Sequence, residues 1–167
     1  NGILLVIHAG AGEYSRKNTP DRRAQVEGDL RKALDAGYAL LERGATAEDA
    51  VCAAIRVMED APEFNAGHGA ALTSEGIVSM DACLMTGADG EVGAACGLTT
   101  SKNPIEVARA VKERTKHVMF AEPGDEELRS WGVELRDSSY FITDARRESL
   151  REAQSNGDEW EKHGTIG

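Results

Sequence analysis

Residues 3–7, ILLVI, form a continuous apolar run bounded by Gly2 and by the glycine-rich HAGAG. That pattern predicts a strand buried on both faces. The polar stretch YSRKNTPD reads as a loop, and Pro20 with Asp21 opens a helix to about Arg43. Leu30, Leu34, Tyr38 and Leu41 give that helix one apolar stripe, and Gly44 ends it. Thr46 caps a second helix, with Asp49 three residues on as the reciprocal partner. Val51, Ala54, Ile55 and Met58 make its inner face, and Pro62 forbids continuation.

From Gly69 to Thr99 the pattern changes to β-branched and small residues broken by glycines, as in GIVSMDACLMTG and EVGAACGLTT. Short strands joined by turns are expected there. NPIEVARAVKER restarts helix, with Asn103 as cap, Pro104 at the first position and Glu106 in the capping-box position. HVMF predicts a short strand, GDEELRSW a short helix and DARRESLREAQ a charged surface helix. SNGDEWEKH, residues 155–163, reads as an exposed linker. The expected architecture is sheet covered by helices, with few strands for the helices present and no internal repeat.

The chain has 167 residues, enough for one domain with a real core. Its formal net charge of −10 argues against a nucleic-acid backbone as partner, because phosphate binding needs a basic face. No apolar run approaches the roughly 18–20 residues that span a bilayer. The start lacks the basic region of a signal peptide. Cys52, Cys83 and Cys96 are an odd number without paired spacing, which fits a reducing compartment and thiols used as small buried hydrophobes. Cytoplasm is the expected location.

Several segments invite a chemical reading. HAGAGEYS follows a strand, but Ser15 stands where a dinucleotide loop needs its third glycine, and the helix starts too late to meet a pyrophosphate. A tight glycine turn is the plainer interpretation. His8, His68, His117 and His163 share no metal-ligand spacing. PEFNAGHG, residues 62–69, combines a helix stop, two glycines and an asparagine. Such a loop turns sharply, leaves carbonyls where a hard cation can take them, and offers Asn65 as a neutral donor toward a reacting oxygen. An ordinary helix-to-strand turn has the same composition. Asp81, alone between apolar residues, is either a structural carboxylate or a site acid.

Gly164-Thr165 raises a different chemistry. A threonine hydroxyl needs an adjacent base, and its own α-amino group, with a pKa of roughly 7.7–8.0, becomes one once the preceding peptide bond is cut. Gly164, without a Cβ, can adopt strained angles that open its carbonyl to attack by Thr165 Oγ.

Taken together, VIHAGAG, TAEDAV, PEFNAGHGA, MDACLMTG, NPIEVAR, HVM and HGTIG resemble, in that order, motifs of the plant-type L-asparaginase and isoaspartyl-peptidase family of N-terminal-nucleophile hydrolases. The resemblance covers nearly the whole chain. It implies an αββα sandwich, cut autocatalytically into α and β subunits that stay together and pair as a dimer of αβ units. Residues 1–154 would be the α portion, 155–164 the linker ending at the cleavage site, and 165–167 the first residues of the β portion.

By the same resemblance, Thr165 is the nucleophile, its freed amine the base, and Asn65 a polarising or orienting group. A structural sodium ion would be held by backbone carbonyls of Met58, Glu59, Ala61, Phe64, Ala66 and His68, with no cofactor for catalysis. The implied substrates are L-asparagine and β-aspartyl dipeptides, and the groups that grip their carboxylate and amine belong to the β part. Two departures stand out: Ala9 replaces the glycine usual after the histidine, and the chain runs past the expected cut to Gly167. On the resemblance the expectation is an uncleaved precursor or a truncation, with a cut after Gly167 as the alternative. Rival readings are a glycosylasparaginase, a threonine endopeptidase of the same fold, or a non-catalytic domain that keeps the fold. The cysteine usage and the HAGAG and FNAGHG segments weigh against the first.

Overall fold

A computed structural model describes residues 2–10 and 19–156. Five α-helices and a three-stranded sheet make up its regular structure: α1 (Pro20–Glu42), α2 (Ala47–Asp60), β1 (Met80–Met85), β2 (Val92–Leu98), α3 (Pro104–Arg114), β3 (Met119–Ala121), α4 (Asp125–Ser130) and α5 (Asp144–Asn156). A 3₁₀ turn, Ser138–Phe141, precedes α5.

Local chemistry sets the helix starts. Thr19 Oγ1 accepts the Arg22 N–H at 3.2 Å, with Pro20 in the first turn of α1. Thr46 and Asp49 form the expected reciprocal capping box on α2. The start of α3 differs from the sequence expectation. Asn103 makes no side-chain cap, and its amide donates instead to Asp60 Oδ1 at 3.2 Å. The α3 N–H of Ile105 is taken by Glu59 Oε1 at 2.9 Å.

The three strands run in the order β1-β2-β3, with β1 antiparallel and β2 parallel to its neighbour β3. Helix α3 covers one face of the sheet. Val107 packs with Met80, Ala95 and Leu98, while Ile105 and Ala108 pack with Leu84 and Cys52. The approach is close enough that a Cβ on Gly93 would lie 2.1 Å from the Ala108 carbonyl oxygen. Helix α2 lies between α3 and α1, and Ala33, Ala54, Met58, Ala61 and Phe64 form the core between α1 and α2. Small residues, Ala33 and Gly37, rather than the leucines alone, fill the centre of the α1 stripe, and Tyr38 is exposed.

The opposite sheet face carries Cys83, Met85 and Met119, with Met85 65% and Met119 56% exposed. This corrects the expectation that all three thiols are buried: alternation along β1 turns Met80, Ala82 and Leu84 toward α3 and Cys83 away from it. Residues 3–7 also depart from expectation. Leu5, Ile7 and Ala9 turn inward, whereas Leu4 is 82% and Val6 77% exposed. The segment has no regular strand assignment and is covered on one side, because no strand pairs with it among the described residues.

Helix α5 extends to Asn156, two residues into the segment read as linker. Gln154 Nε2 donates to the Ser74 carbonyl at 3.1 Å, and Arg146 Nε donates to the Gly69 carbonyl, fastening α5 to the chain that follows the asparagine loop.

Candidate functional site

The turn after α2 carries the asparagine, histidine and glycines that the sequence singles out. Pro62 stops the helix, Phe64 is buried in the α1–α2 core, and the chain reverses through Asn65-Ala66-Gly67-His68-Gly69. Phe64 anchors the loop by burial, and two glycines let it close. Gly67 has φ +48°, and a Cβ there would lie 2.3 Å from the Glu59 carbonyl oxygen. Gly69 has φ +111°, with the Pro62 carbonyl oxygen 2.5 Å from where its Cβ would be. Both positions exclude a side chain by space as well as by backbone angle.

The loop is fixed by hydrogen bonds at each stage. His68 N–H donates to the Glu59 carbonyl at 2.7 Å, Ala70 N–H to Gly67 at 3.1 Å, and Gly69 N–H to Phe141 at 3.0 Å. His68 Nδ1 lies 2.6 Å from the Tyr140 carbonyl oxygen, so that nitrogen carries the proton, and its ring tilts against Tyr140 at 5.0 Å. Half-buried Asn65 accepts the Ala71 N–H through Oδ1 at 2.6 Å. That bond assigns the amide: Oδ1 is committed to the backbone, and the NH₂ is the end able to donate elsewhere.

A cation in this turn would rely on main-chain oxygens. Among the described residues no cluster of three or more histidine, cysteine or acidic side chains is placed to hold a metal ion. Of the six carbonyls named above, Met58, Glu59 and Ala61 accept the N–H groups of Ala61, His68 and Phe64, each keeping a second lone pair. The carbonyls of Phe64, Ala66 and His68 accept no backbone N–H among the described residues. Carbonyl oxygens are the ligand type that a hard cation takes.

Glu59 enters through its side chain as well as its carbonyl, which the sequence reading does not anticipate. It is 3% exposed, and burial is the main cause pushing its carboxyl up to about 8, against the opposing pull of the Ile105 N–H. Asn103 lies near enough to favour the charged form, yet Oε2 has no hydrogen-bond partner in the structure. The signal was present in the chain: Cys52, Ile55 and Glu59 recur at i, i+3 and i+7 on the inner face of α2, so an acid sits on an apolar stripe.

The other candidates sort plainly. Asp81 is exposed and its Oδ1 accepts the Gly97 N–H at 3.0 Å, a structural bond across the β1–β2 pair. Burial pushes the Cys52 thiol up to about 12, so it is protonated and inert. Ala9 packs with Ile7 against the α1–α2 core, and Gly10 N–H meets His8 Nδ1 at 3.4 Å. Gly164 and Thr165 lie outside the described residues.

Comparison with known proteins adds an independent line. The family model for asparaginase matches residues 1–166. The chain is 43% identical over 122 residues to a plant-type L-asparaginase of Pyrococcus abyssi, an alignment covering 73% of this chain and 39% of that protein. It is 39% identical over 142 residues to an isoaspartyl peptidase/L-asparaginase of Danio rerio, covering 84% and 44% respectively. It is 34% identical over 180 residues to an isoaspartyl peptidase of Salmonella typhimurium, covering 100% and 58%. The chain therefore spans roughly half the length of these relatives. A match through nearly every residue, including the asparagine turn just described, places this chain in the asparaginase family.

Proposed function

We propose that the protein to which this chain belongs is an amidohydrolase that matures by cutting itself before Thr165 and then hydrolyses L-asparagine and β-aspartyl dipeptides. The observation that carries this reading is Asn65: in the loop shared with the motif, its Oδ1 is locked by Ala71 and its NH₂ is left as the donor. A preorganised neutral donor is what a developing oxyanion requires.

The chemistry follows from the groups named. Thr165 Oγ attacks the side-chain carbonyl of the substrate while its proton passes to the free α-amine of Thr165. Asn65 donates toward the reacting centre. Collapse expels ammonia, or the amine of a dipeptide's second residue, carrying that proton, and leaves an ester on Thr165. Water then cleaves the ester, releasing aspartate and restoring the hydroxyl. Maturation turns the Thr165 hydroxyl on the Gly164 carbonyl: the C–N bond breaks as the ester forms, which frees the α-amine, and water then hydrolyses the ester to leave the Gly164 carboxylate and the Thr165 hydroxyl.

The remaining architecture belongs to the same proposal. The uncovered sheet face with Met85 and Met119 is suited to packing against a second sheet, as an αββα sandwich demands. That sheet would come from the β subunit, and two αβ units would pair. A sodium ion held by the carbonyls of Met58, Glu59, Ala61, Phe64, Ala66 and His68 would stiffen the loop that carries Asn65. No helix among the described residues is long and apolar enough to cross a membrane, and the thiols suit a reducing cytoplasm.

Intact mass and N-terminal sequencing of the full encoded protein, before and after incubation, test the reading together with an ammonia-release assay. The expected result is a new chain starting at Thr165 and asparagine turnover that appears with it. A protein that stays whole, or turnover that survives Thr165→Ala, overturns it.

A further inference from the structure

Two segments far apart in sequence meet on one side chain and its backbone. Glu59 Oε1 accepts the Ile105 N–H at 2.9 Å, serving the first turn of α3 in the place Asn103 leaves empty. The Glu59 carbonyl accepts the His68 N–H at 2.7 Å. Gly67 lies so near that an added Cβ would be 2.9 Å from Glu59 Cβ. The carboxyl is buried, and a buried acid is costly unless its oxygens are bonded, so the Ile105 bond is what an apolar side chain in its place would not supply.

Resting on the hydrolase reading above, we propose that Glu59 is a positioning residue, which ties α2 to the start of α3 through its side chain and grips Gly67-His68 through its backbone, thereby fixing the turn that presents Asn65. Asn65 sits at the middle of the span from Glu59 to Ala71, and both ends of that span are bonded. Release of the Ile105 bond frees the last turn of α2 to shift, and the His68 N–H moves with the Glu59 carbonyl. A displacement of about 1 Å at the donor is enough to cost on the order of a hundredfold in rate.

The test uses the full encoded protein and the variants Glu59→Gln, Glu59→Asp and Glu59→Ala. Gln keeps an acceptor at the Oε1 position, whereas Asp keeps the carboxyl and loses the reach. Amide hydrogen exchange is read at His68, Ala71 and Ile105, with Ala33 in α1 as the reference for global opening. Exchange at His68 and Ala71 should rise about tenfold or more beyond any rise at Ala33 in the Asp and Ala variants, and stay within about threefold of wild type in the Gln variant. The kcat for asparagine should fall about tenfold or more in the Asp and Ala variants, with KM within about twofold of wild type. Should the Ala variant not fold, the Asp variant carries the same comparison. Exchange at His68 and Ala71 that stays at the wild-type level, or rises only in step with Ala33, overturns the proposal. If wild type turns over neither asparagine nor a β-aspartyl dipeptide, the hydrolase reading fails, and the exchange comparison still decides whether Glu59 fixes the turn.

Discussion

The backbone N–H of Ala71 reaches Oδ1 of Asn65 at 2.6 Å, so the asparagine's orientation is set by the chain six residues further on. One end of the amide serves the fold, which leaves the NH₂ as the end able to donate. Asn65→Asp keeps the acceptor and removes the donor, so it should retain most of the stability while kcat falls by about 10²–10³. Asn65→Ala removes both and should also lose about 1 kcal/mol in denaturant unfolding. Ammonia release measured beside urea titration separates the two effects. Equal activity of Asn65→Asp and wild type would remove Asn65 from the mechanism.

Gly67→Ala places a methyl where the Glu59 carbonyl oxygen is 2.3 Å away, on a backbone with φ +48°. Strain and clash act together, and a loss of about 2 kcal/mol or more is expected. A guanidinium midpoint unchanged from wild type would show that the turn is looser than described.

Asp49 is held below its ordinary value of 3.8, first by the Thr46 hydroxyl and then by Arg109. A carboxyl whose folded pKa is depressed stabilises the fold above its unfolded pKa, and that contribution disappears as pH falls through the folded pKa. Unfolding midpoints taken from about pH 5 down to about pH 2.5 should therefore drop less steeply in Asp49→Asn than in wild type. Parallel curves would mean the capping box carries no proton linkage.

Cys83 lies exposed on the uncovered sheet face, and Cys52 is buried with its thiol pushed up to about 12. If a second sheet covers that face in the full protein, iodoacetamide at mild alkaline pH should label Cys83 as slowly as Cys52, and both should react only on unfolding. Peptide mapping by mass reads the rates. Fast labelling of Cys83 in the folded full protein would sink the sandwich proposal.

The parts of this structure that were legible in the sequence are those decided by neighbours along the chain. Thr46 and Asp49 are three residues apart, and their capping box formed as the spacing required. Pro62 ended α2, and Pro104 opened α3, for reasons internal to proline. The misreadings involve partners from elsewhere. Asn103 had the right identity for a cap, but Asp60 took its amide while Glu59, 46 residues from Ile105, did the capping. Cys83 sits in apolar text, and only the placement of α3 decides which face of β1 is covered. Asn65 stands out in the text of its loop, whereas the Ala71 bond that fixes its amide needed the folded chain.

The bond between Glu59 and Ile105 has a kinetic side. It closes a loop of 46 residues that contains the asparagine turn and the β1–β2 hairpin. Closing so long a loop costs entropy before its contacts are made, and each doubling of its length adds about 0.6 kcal/mol. Formed early, the bond would trap the enclosed segment before its strands had found their register. Formed late, it would act as a latch on a segment already in order. The hairpin is local and the latch is not, so order of assembly should run from the hairpin outward, with the turn bearing Asn65 among the last parts to become rigid.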